Sequence, residues 1–188
     1  MSPSSGERAV TAIFAEVPHD VVVQGTNKMP HRNAGELIPS GISSLLRELV
    51  VLATNVAKAL GVEVRQDLND LGMKMIAKSV NSRRLLERSQ LVCQDIMDMR
   101  ISITPPYADA TVVYWNNLLF EPRVIEFVKE DLSGMFLLRK VVSSLNLCPR
   151  HRDLCHNAFC GAFKLEKVLY LPCSWKTNLQ QVFVYQSQ

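Results

Sequence analysis

One short stretch near the middle of the chain constrains the fold most. Residues 111–115 are all β-branched or aromatic, which predicts a buried β-strand. Asn116 and Asn117 follow this strand, and Glu121-Pro122 then begins a helix with proline in its first turn. Ligands bind at the carboxyl ends of strands in open α/β sheets, and a buried amide is costly unless it is hydrogen-bonded. The asparagine pair therefore indicates a binding site.

Length and composition are those of one ordinary globular domain. The chain has 188 residues, of which 47% are hydrophobic and 21% charged, with a net charge of +3. No run reaches the roughly 18 apolar residues of a membrane-spanning helix, so we expect no membrane partner. The first residues lack the pattern of a secretory signal. The five cysteines are therefore expected to be thiols or metal ligands more than disulfides.

Strand and helix patterns alternate through the middle of the chain. The periodicity predicts strands over 20–25, 57–64, 90–96, 135–147, 163–171 and 182–185, besides the strand that ends at residue 116. It predicts helices over 9–17, from residue 40, over 67–86 and over 122–132. This order is typical of a doubly wound α/β sheet that ends in an antiparallel hairpin.

Three successive strands are expected to end in a polar residue at the same edge of the sheet. Glu63 could accept both hydroxyls of a ribose, Asp95 an adenine amine, and Asn116 could orient an incoming nucleophile. Taken singly, the two acidic residues could equally be helix caps or solvated strand ends. Three in register favour a nucleoside site.

The chain resembles the histone-lysine methyltransferases that are named for disruption of telomeric silencing. These enzymes lack the SET fold and methylate a lysine in the globular core of histone three. The matching segments cover roughly residues 28–185; they are Gly35-Glu36-Leu37-Ile38-Pro39, Gly61-Val62-Glu63, Gln94-Asp95-Ile96, Asn116-Asn117-Leu118-Leu119-Phe120, Val142-Ser143-Ser144 and Cys173-Ser174-Trp175. The resemblance implies a methyltransferase-like catalytic domain over 28–188, after an N-terminal segment over 1–27 that is partly disordered.

The resemblance also implies a cofactor and the residues that bind it. The cofactor would be S-adenosylmethionine, with Glu36 on the loop that covers it, Glu63 at the ribose and Asp95 at the adenine. Asn116 would also bind the cofactor, and Asn116 and Phe120 would line the methyl-transfer channel as catalytic residues.

Trp175 and Phe183 would form walls of the lysine channel. The family has an aromatic pair on the final hairpin, whereas this chain has Val182-Phe183. The implied partner is the nucleosome, through histone three and the DNA backbone, and the implied location is the nucleus.

One part of the pattern is missing. In a class I S-adenosylmethionine-dependent methyltransferase, which has a Rossmann-like sheet, the first strand ends in a Gly-x-Gly turn that lets the backbone approach the cofactor. None of the eight glycines of this chain is separated from another by a single residue. Roughly 15 to 20 residues, about a strand and its turn, are absent near residue 50. We therefore predict that the sheet lacks its first central strand.

A second group of residues has metal-ligand chemistry. Residues 148–160 contain Cys148, His151, Cys155, His156 and Cys160, and Zn²⁺ favours four such ligands. The spacing matches no standard zinc finger, so small cysteines packed beneath a hairpin are the preferred interpretation, with no metal.

Three functions remain in competition. The first is a histone-core lysine methyltransferase, and the second is an inactive relative that keeps a chromatin- or protein-binding surface. The third is a methyltransferase that acts on nucleic-acid bases or on another small nucleophile. Base methyltransferases often carry Asn-Pro-Pro-aromatic at this strand end to stack a flipped base. Asn117-Leu118 stands where those prolines would be, which argues against the third.

Overall fold

The computed structural model describes residues 11–15, 51–52, 56–118, 120–149, 155–173 and 176–188. These residues form a mixed α/β structure with parallel and antiparallel strands, as the alternating pattern predicts. The predicted strand over 20–25 and most of the helix from residue 40 lie outside the described residues, although Val51 and Leu52 are helical.

Seven strands and four α-helices are described. The strands are β1 (Thr11–Ala15), β2 (Lys58–Glu63), β3 (Ser89–Cys93), β4 (Val112–Trp115), β5 (Lys140–Ser143), β6 (Phe163–Cys173) and β7 (Lys176–Ser187). The helices are α1 (Gln66–Lys78), α2 (Ser82–Arg88), α3 (Pro122–Ser133) and α4 (Ala158–Ala162), and short 3₁₀ turns lie at Ile96–Asp98 and Tyr107–Asp109.

The strands form one sheet in the order β3-β2-β1-β4-β5-β7-β6. β2 and β3 are parallel to each other, as are β4 and β5, whereas β1 is antiparallel to both of its neighbours. β1 alone joins the β2–β3 pair to the other four strands, so the sheet would be two small sheets without it.

The position of β1 corrects one expectation. The prediction of a helix over 9–17 is wrong, because Thr11–Ala15 pairs as a strand. The slot between β2 and β4, where we predict that the first central strand is missing, is filled by β1 in reversed direction. Filling it satisfies the backbone groups of β2 and β4, which an empty slot would leave without partners. The domain boundary at residues 27 and 28 stays a prediction.

The helices agree with the sequence patterns in part. α3 begins at Pro122 as predicted, because proline suits the first helical position, and ends beside Gly134. The helix predicted over 67–86 is instead two, α1 and α2. The break at residues 79–81 leaves Val80 99% exposed. A helical repeat of apolar residues cannot reveal such a break, because both helices present an apolar side to the same sheet.

The late strands differ in length from their predictions. β5 has only four residues, since the segment before it forms turns that bury Met135 and Leu138. β6 and β7 are longer than predicted and form an antiparallel hairpin with two register shifts.

Two hydrophobic clusters lie on opposite faces of the sheet. The larger contains Leu60, Val62, Val113, Trp115 and Val141 together with α3 and the loops around it. The smaller contains Val51, Val56, Ala59, Ile76 and Leu85. Alternation along the strands explains the division, because neighbouring residues point to opposite faces.

Among the described residues no helix is both long and apolar enough to cross a membrane.

Candidate functional site at the carboxyl edge of the sheet

The carboxyl ends of four parallel strands meet at one edge of the sheet. Val62 of β2 and Trp115 of β4 lie at the same level, because both pair with Thr11 of β1. Glu63 and Asn116 are the next residues along their strands. Strands are about 4.8 Å apart, so the two backbones are separated by about 10 Å with the first residue of β1 between them.

Glu63 is the most unusual residue at this edge. It is only 2% exposed, and its Oε1 accepts a hydrogen bond from the backbone N–H of Arg65 at 2.9 Å. Its Oε2 is buried without a hydrogen-bond partner among the described residues. Burial raises the pKa of the Glu63 carboxyl above its usual range, against the opposing effects of the Arg65 hydrogen bond and charge. A buried carboxyl oxygen that has no hydrogen-bond partner, such as Glu63 Oε2, is complementary to a ligand with a hydroxyl or N–H donor.

Asp95 follows the neighbouring strand β3 and caps a short 3₁₀ turn. Its Oδ1 accepts from the backbone N–H of Met97 at 2.9 Å. The backbone N–H of Gln94 donates to the carbonyl of Glu63 at 2.9 Å, which fixes the two acidic residues in register. The capping role left open by the sequence is therefore present at Asp95.

Asn116 and Asn117 are hydrogen-bonded to the end of β5. Asn116 Oδ1 accepts from the Ser144 hydroxyl at 3.0 Å, and Asn117 Oδ1 accepts from the Ser143 hydroxyl at 3.1 Å and from the Leu145 N–H at 3.0 Å. Asn117 is fully buried. The amide pair thus joins two neighbouring strand ends, so part of its requirement for hydrogen bonds is met within the protein.

Phe120 returns toward the core after this turn. Its ring meets that of Trp115 edge to face, with 5.8 Å between ring centroids, and it packs partly buried against the larger cluster. Trp115 is fully buried, as expected of an aromatic residue within a strand. Trp115 Nε1 has no hydrogen-bond partner among the described residues.

The hairpin brings one predicted channel residue to the same region. Phe183 of β7 pairs with Ser143 of β5 and packs partly buried against the larger cluster. Glu36 and Trp175 lie outside the described residues. The structure thus places Asn116, Phe120 and Phe183 near the ends of β4 and β5, and Glu63 and Asp95 at the ends of β2 and β3. Phe120 and Phe183 pack against the larger cluster, whereas alternation along β2 puts Glu63 on the opposite face of the sheet.

Two residues without an assigned role in the sequence belong to this site. The Ser144 hydroxyl contacts Asn116, and a hydrogen bond also links Ser144 to Tyr114. Burial raises the pKa of Tyr114, and the Ser144 hydrogen bond opposes that shift. Alternation along β2 and β4 puts Tyr114 on the face that carries Glu63. The signal available in the sequence was the hydroxyl pair Ser143-Ser144 directly after a buried strand.

The reversed direction of β1 changes what this edge can offer a ligand. A parallel first strand would end here and lead into a glycine turn. Antiparallel β1 instead has its first described residue, Thr11, at this edge, so among the described residues no loop leaves a central strand here. The described part of the edge offers a carboxylate, a capped aspartate, amides, hydroxyls and a phenol. These groups can hold a polar ligand by hydrogen bonds.

A separate cluster of three thiols lies beyond β5. The Sγ atoms of Cys148, Cys155 and Cys160 all lie within 4.8 Å of one another, and the three residues are partly buried and unbridged. His151, the fourth member of the predicted ligand set, lies outside the described residues.

No protein-family model matches the chain, and no curated protein matches it.

Proposed function

We propose that this protein is a histone-lysine N-methyltransferase of the telomeric-silencing type that uses S-adenosylmethionine to methylate a core lysine of histone three in nucleosomes. The observation that carries this proposal is Glu63, a buried carboxyl with an unpaired oxygen at the carboxyl edge of β2. In dinucleotide-binding sheets, an acidic residue binds the ribose of the cofactor.

The order of the strands supports a Rossmann-like methyltransferase sheet. The order β3-β2-β1-β4-β5 agrees with the first five positions of a doubly wound sheet, whose crevice lies between strands 1 and 4. A Rossmann-like methyltransferase sheet with an antiparallel hairpin at its end is therefore our proposal for the fold. The reversed β1 is the departure from it.

The residues present fit the adenosyl part of the cofactor. Glu63 Oε2 is an acceptor in need of a donor, and ribose hydroxyls are donors. Asp95 lies two residues beyond the level of Glu63, since Cys93 pairs with Glu63. An adenine next to the ribose would then lie toward β3.

The methyl-acceptor side of the site would lie toward β4, β5 and β7. When bound, S-adenosylmethionine supplies the methyl group that is transferred. Asn116 would orient the lysine amine, and Phe120 and Phe183, with Trp175, would form apolar walls. Such walls favour the neutral amine, the form that can react, because desolvation disfavours a charged lysine.

Exposed basic residues support a nucleosomal partner. Arg83 and Arg84 of α2 and Arg139 before β5 are exposed, and Lys140 follows Arg139. Contacts of this kind with DNA phosphates would weaken as salt increases. Action on nucleosomes would place the protein in the nucleus.

The reversed β1 favours a second candidate function. Without a glycine turn at this edge, the backbone cannot approach the cofactor as it does in relatives that carry one. The second candidate is therefore a catalytically inactive relative that acts as a chromatin- or protein-binding module.

Equilibrium dialysis with labelled S-adenosylmethionine tests the first candidate. We expect binding much weaker than micromolar, lost in Glu63→Ala and kept in Glu130→Ala, an exposed glutamate of α3. Saturation at micromolar cofactor would contradict the prediction that the missing Gly-x-Gly turn weakens cofactor binding. Equal binding by the two variants would overturn the role of Glu63.

A methylation assay on nucleosomes and on free histone three separates the two candidates. Methyl transfer that requires nucleosomes supports the enzyme. Absence of both cofactor binding and methylation, together with salt-sensitive binding to nucleosomes, supports the inactive relative. Absence of all three would overturn both.

A further inference from the structure

We propose that Cys148, Cys155 and Cys160 form a zinc site that fastens the segment between β5 and β6 to the edge of the larger core. The proposal reverses the preference for simple packing that the irregular spacing suggested. It is independent of the proposed methyltransferase function, because no residue of the carboxyl-edge site takes part.

The separations of the sulfur atoms carry the inference. Tetrahedral Zn²⁺ with Zn–S bonds of about 2.3 Å separates its sulfurs by about 3.8 Å. Cys148 Sγ and Cys155 Sγ are 3.8 Å apart, and all three sulfurs lie within 4.8 Å of one another. A disulfide would require about 2.05 Å, so these separations suit a shared metal ion better than a covalent bridge.

Hydrogen bonds of the protein itself fix the backbone around Cys148. The Cys148 N–H donates to Asn146 Oδ1 at 3.1 Å, and the Tyr185 hydroxyl donates to the same oxygen at 3.1 Å. That hydroxyl also accepts from the Leu147 N–H at 2.8 Å. This network holds Cys148 against β7 without the thiol, whose sulfur contacts Cys155 Sγ.

The other two cysteines are positioned by the short helix α4. Asn157 caps this helix by accepting from the Phe159 N–H at 3.0 Å, and its carbonyl accepts from the Cys160 N–H at 2.9 Å. Phe159 is buried and stacks on Phe163 with 5.1 Å between ring centroids. Cys155 and Cys160 thus flank a turn that is anchored in the core.

The chemistry of these ligands selects a thiophilic cation. Three thiolates suit Zn²⁺ and do not suit Mg²⁺ or Ca²⁺, which take oxygen ligands. Binding replaces three S–H bonds with three Zn–S bonds and releases three protons. Three protein ligands leave the fourth tetrahedral position to water or to another donor.

The first test is the metal content of the purified, reduced protein. Elemental analysis should find about one zinc per chain in the wild type and in Cys93→Ser, whose thiol lies outside the cluster. Cys148→Ser, Cys155→Ser and Cys160→Ser should each lose most of this zinc. A chelator should lower the melting temperature of the wild type, and added Zn²⁺ should restore it.

A titration of the wild type keeps the proposal testable if the serine variants do not fold. Zn²⁺ added to the reduced, metal-free chain should protect these three of its five thiols from alkylation, as mapped by mass spectrometry. Co²⁺ in place of Zn²⁺ should give thiolate charge-transfer absorption. Unchanged alkylation at saturating Zn²⁺, or a bridge between two of the three cysteines in freshly purified protein, would overturn the proposal.

Discussion

Two buried carboxylates in different regions of the molecule have opposite surroundings. Asp131 of α3 is 1% exposed and accepts from Arg100 Nε at 3.0 Å, from the Ser102 hydroxyl at 2.5 Å and from the Ser102 N–H at 3.3 Å. Glu63 is 2% exposed and accepts one backbone hydrogen bond, while its second oxygen has no partner among the described residues.

The difference separates a structural anchor from a candidate site. Three donors compensate the buried charge of Asp131, and they fasten the loop of residues 100–104 to α3. Glu63 lacks that compensation, so its burial costs stability unless a ligand provides a donor. A sequence shows an acidic residue in both places, whereas only the count of donors distinguishes their roles.

Removal of the compensated carboxylate should have the largest effect. Asp131→Ala leaves Ser102 without its acceptor and frees Arg100, so we expect a loss of about 3–5 kcal/mol in the free energy of unfolding. Urea titration followed by circular dichroism measures this loss. Glu130→Ala, at the exposed neighbouring position, should change stability by less than about 0.5 kcal/mol. Equal effects of the two variants would contradict the stabilising role of the Asp131 hydrogen bonds.

Asn117 is a partly compensated group at the candidate site itself, because its Oδ1 accepts two hydrogen bonds whereas its Nδ2 has no partner among the described residues. Asn117→Ala removes one of two acceptors for the Ser143 hydroxyl and one of two for the Leu145 N–H, so we expect a loss of about 2 kcal/mol. Asn116→Ala, which loses only the Ser144 hydrogen bond, should cost about 1 kcal/mol. Urea unfolding curves of the two variants give the ratio of these two losses in the free energy of unfolding. A larger loss for Asn116→Ala would show that the roles of the two amides are reversed.

Neutralisation of the Glu63 carboxyl should change the free energy of unfolding in the opposite direction, toward greater stability. Glu63→Gln keeps an acceptor for Arg65 and removes a buried negative charge, so it should stabilise the protein by about 1 kcal/mol at neutral pH. The gain is measured from the urea midpoint in the absence of ligand. Asp131→Asn is the matched control, and it should destabilise the protein. A destabilised Glu63→Gln variant would contradict the lack of compensation.

The difference in stability between Glu63→Gln and the wild type should depend on pH, because the pKa of Glu63 is raised in the folded protein. Because the folded state favours the neutral carboxyl, its stabilising contribution is fully present below the ordinary pKa of 4.5 and is lost as pH rises through the higher folded-state pKa. The advantage of Glu63→Gln should therefore shrink toward acid pH. An advantage that grows in acid would reverse the assigned direction.

Ser144→Ala should have the smallest effect on stability. It removes the hydroxyl that donates to Asn116 Oδ1 in a partly buried hydrogen bond, so we expect a loss of less than about 1 kcal/mol in the free energy of unfolding. It should also raise the pKa of Tyr114 further, because the Ser144 hydrogen bond opposes the effect of burial there. Spectrophotometric titration of the tyrosines detects that shift, and an unchanged curve would exclude the hydrogen bond in solution.

Most of the elements could be predicted from the sequence, whereas the edge chemistry could be predicted only in outline. Strands over 58–63 and 112–115 and the helix from Pro122 follow from local periodicity and from proline at a helix start. The capping alternative at Asp95 also followed from a local preference. The partners of Asn117 did not, because Ser143 and Leu145 are contributed by another strand.

The alternating α/β pattern and the polar ends of β2, β3 and β4 follow from the sequence alone, because these features depend on residues that are adjacent in the chain. Tertiary structure decided the central strand: residues 11–15 have no strong local preference, and two distant strands with open hydrogen-bonding groups made them β1. It also decided which buried carboxyl has donors and which three thiols meet. The burial of a carboxyl beside its donors and the approach of three thiols arise only when segments far apart in the chain pack together.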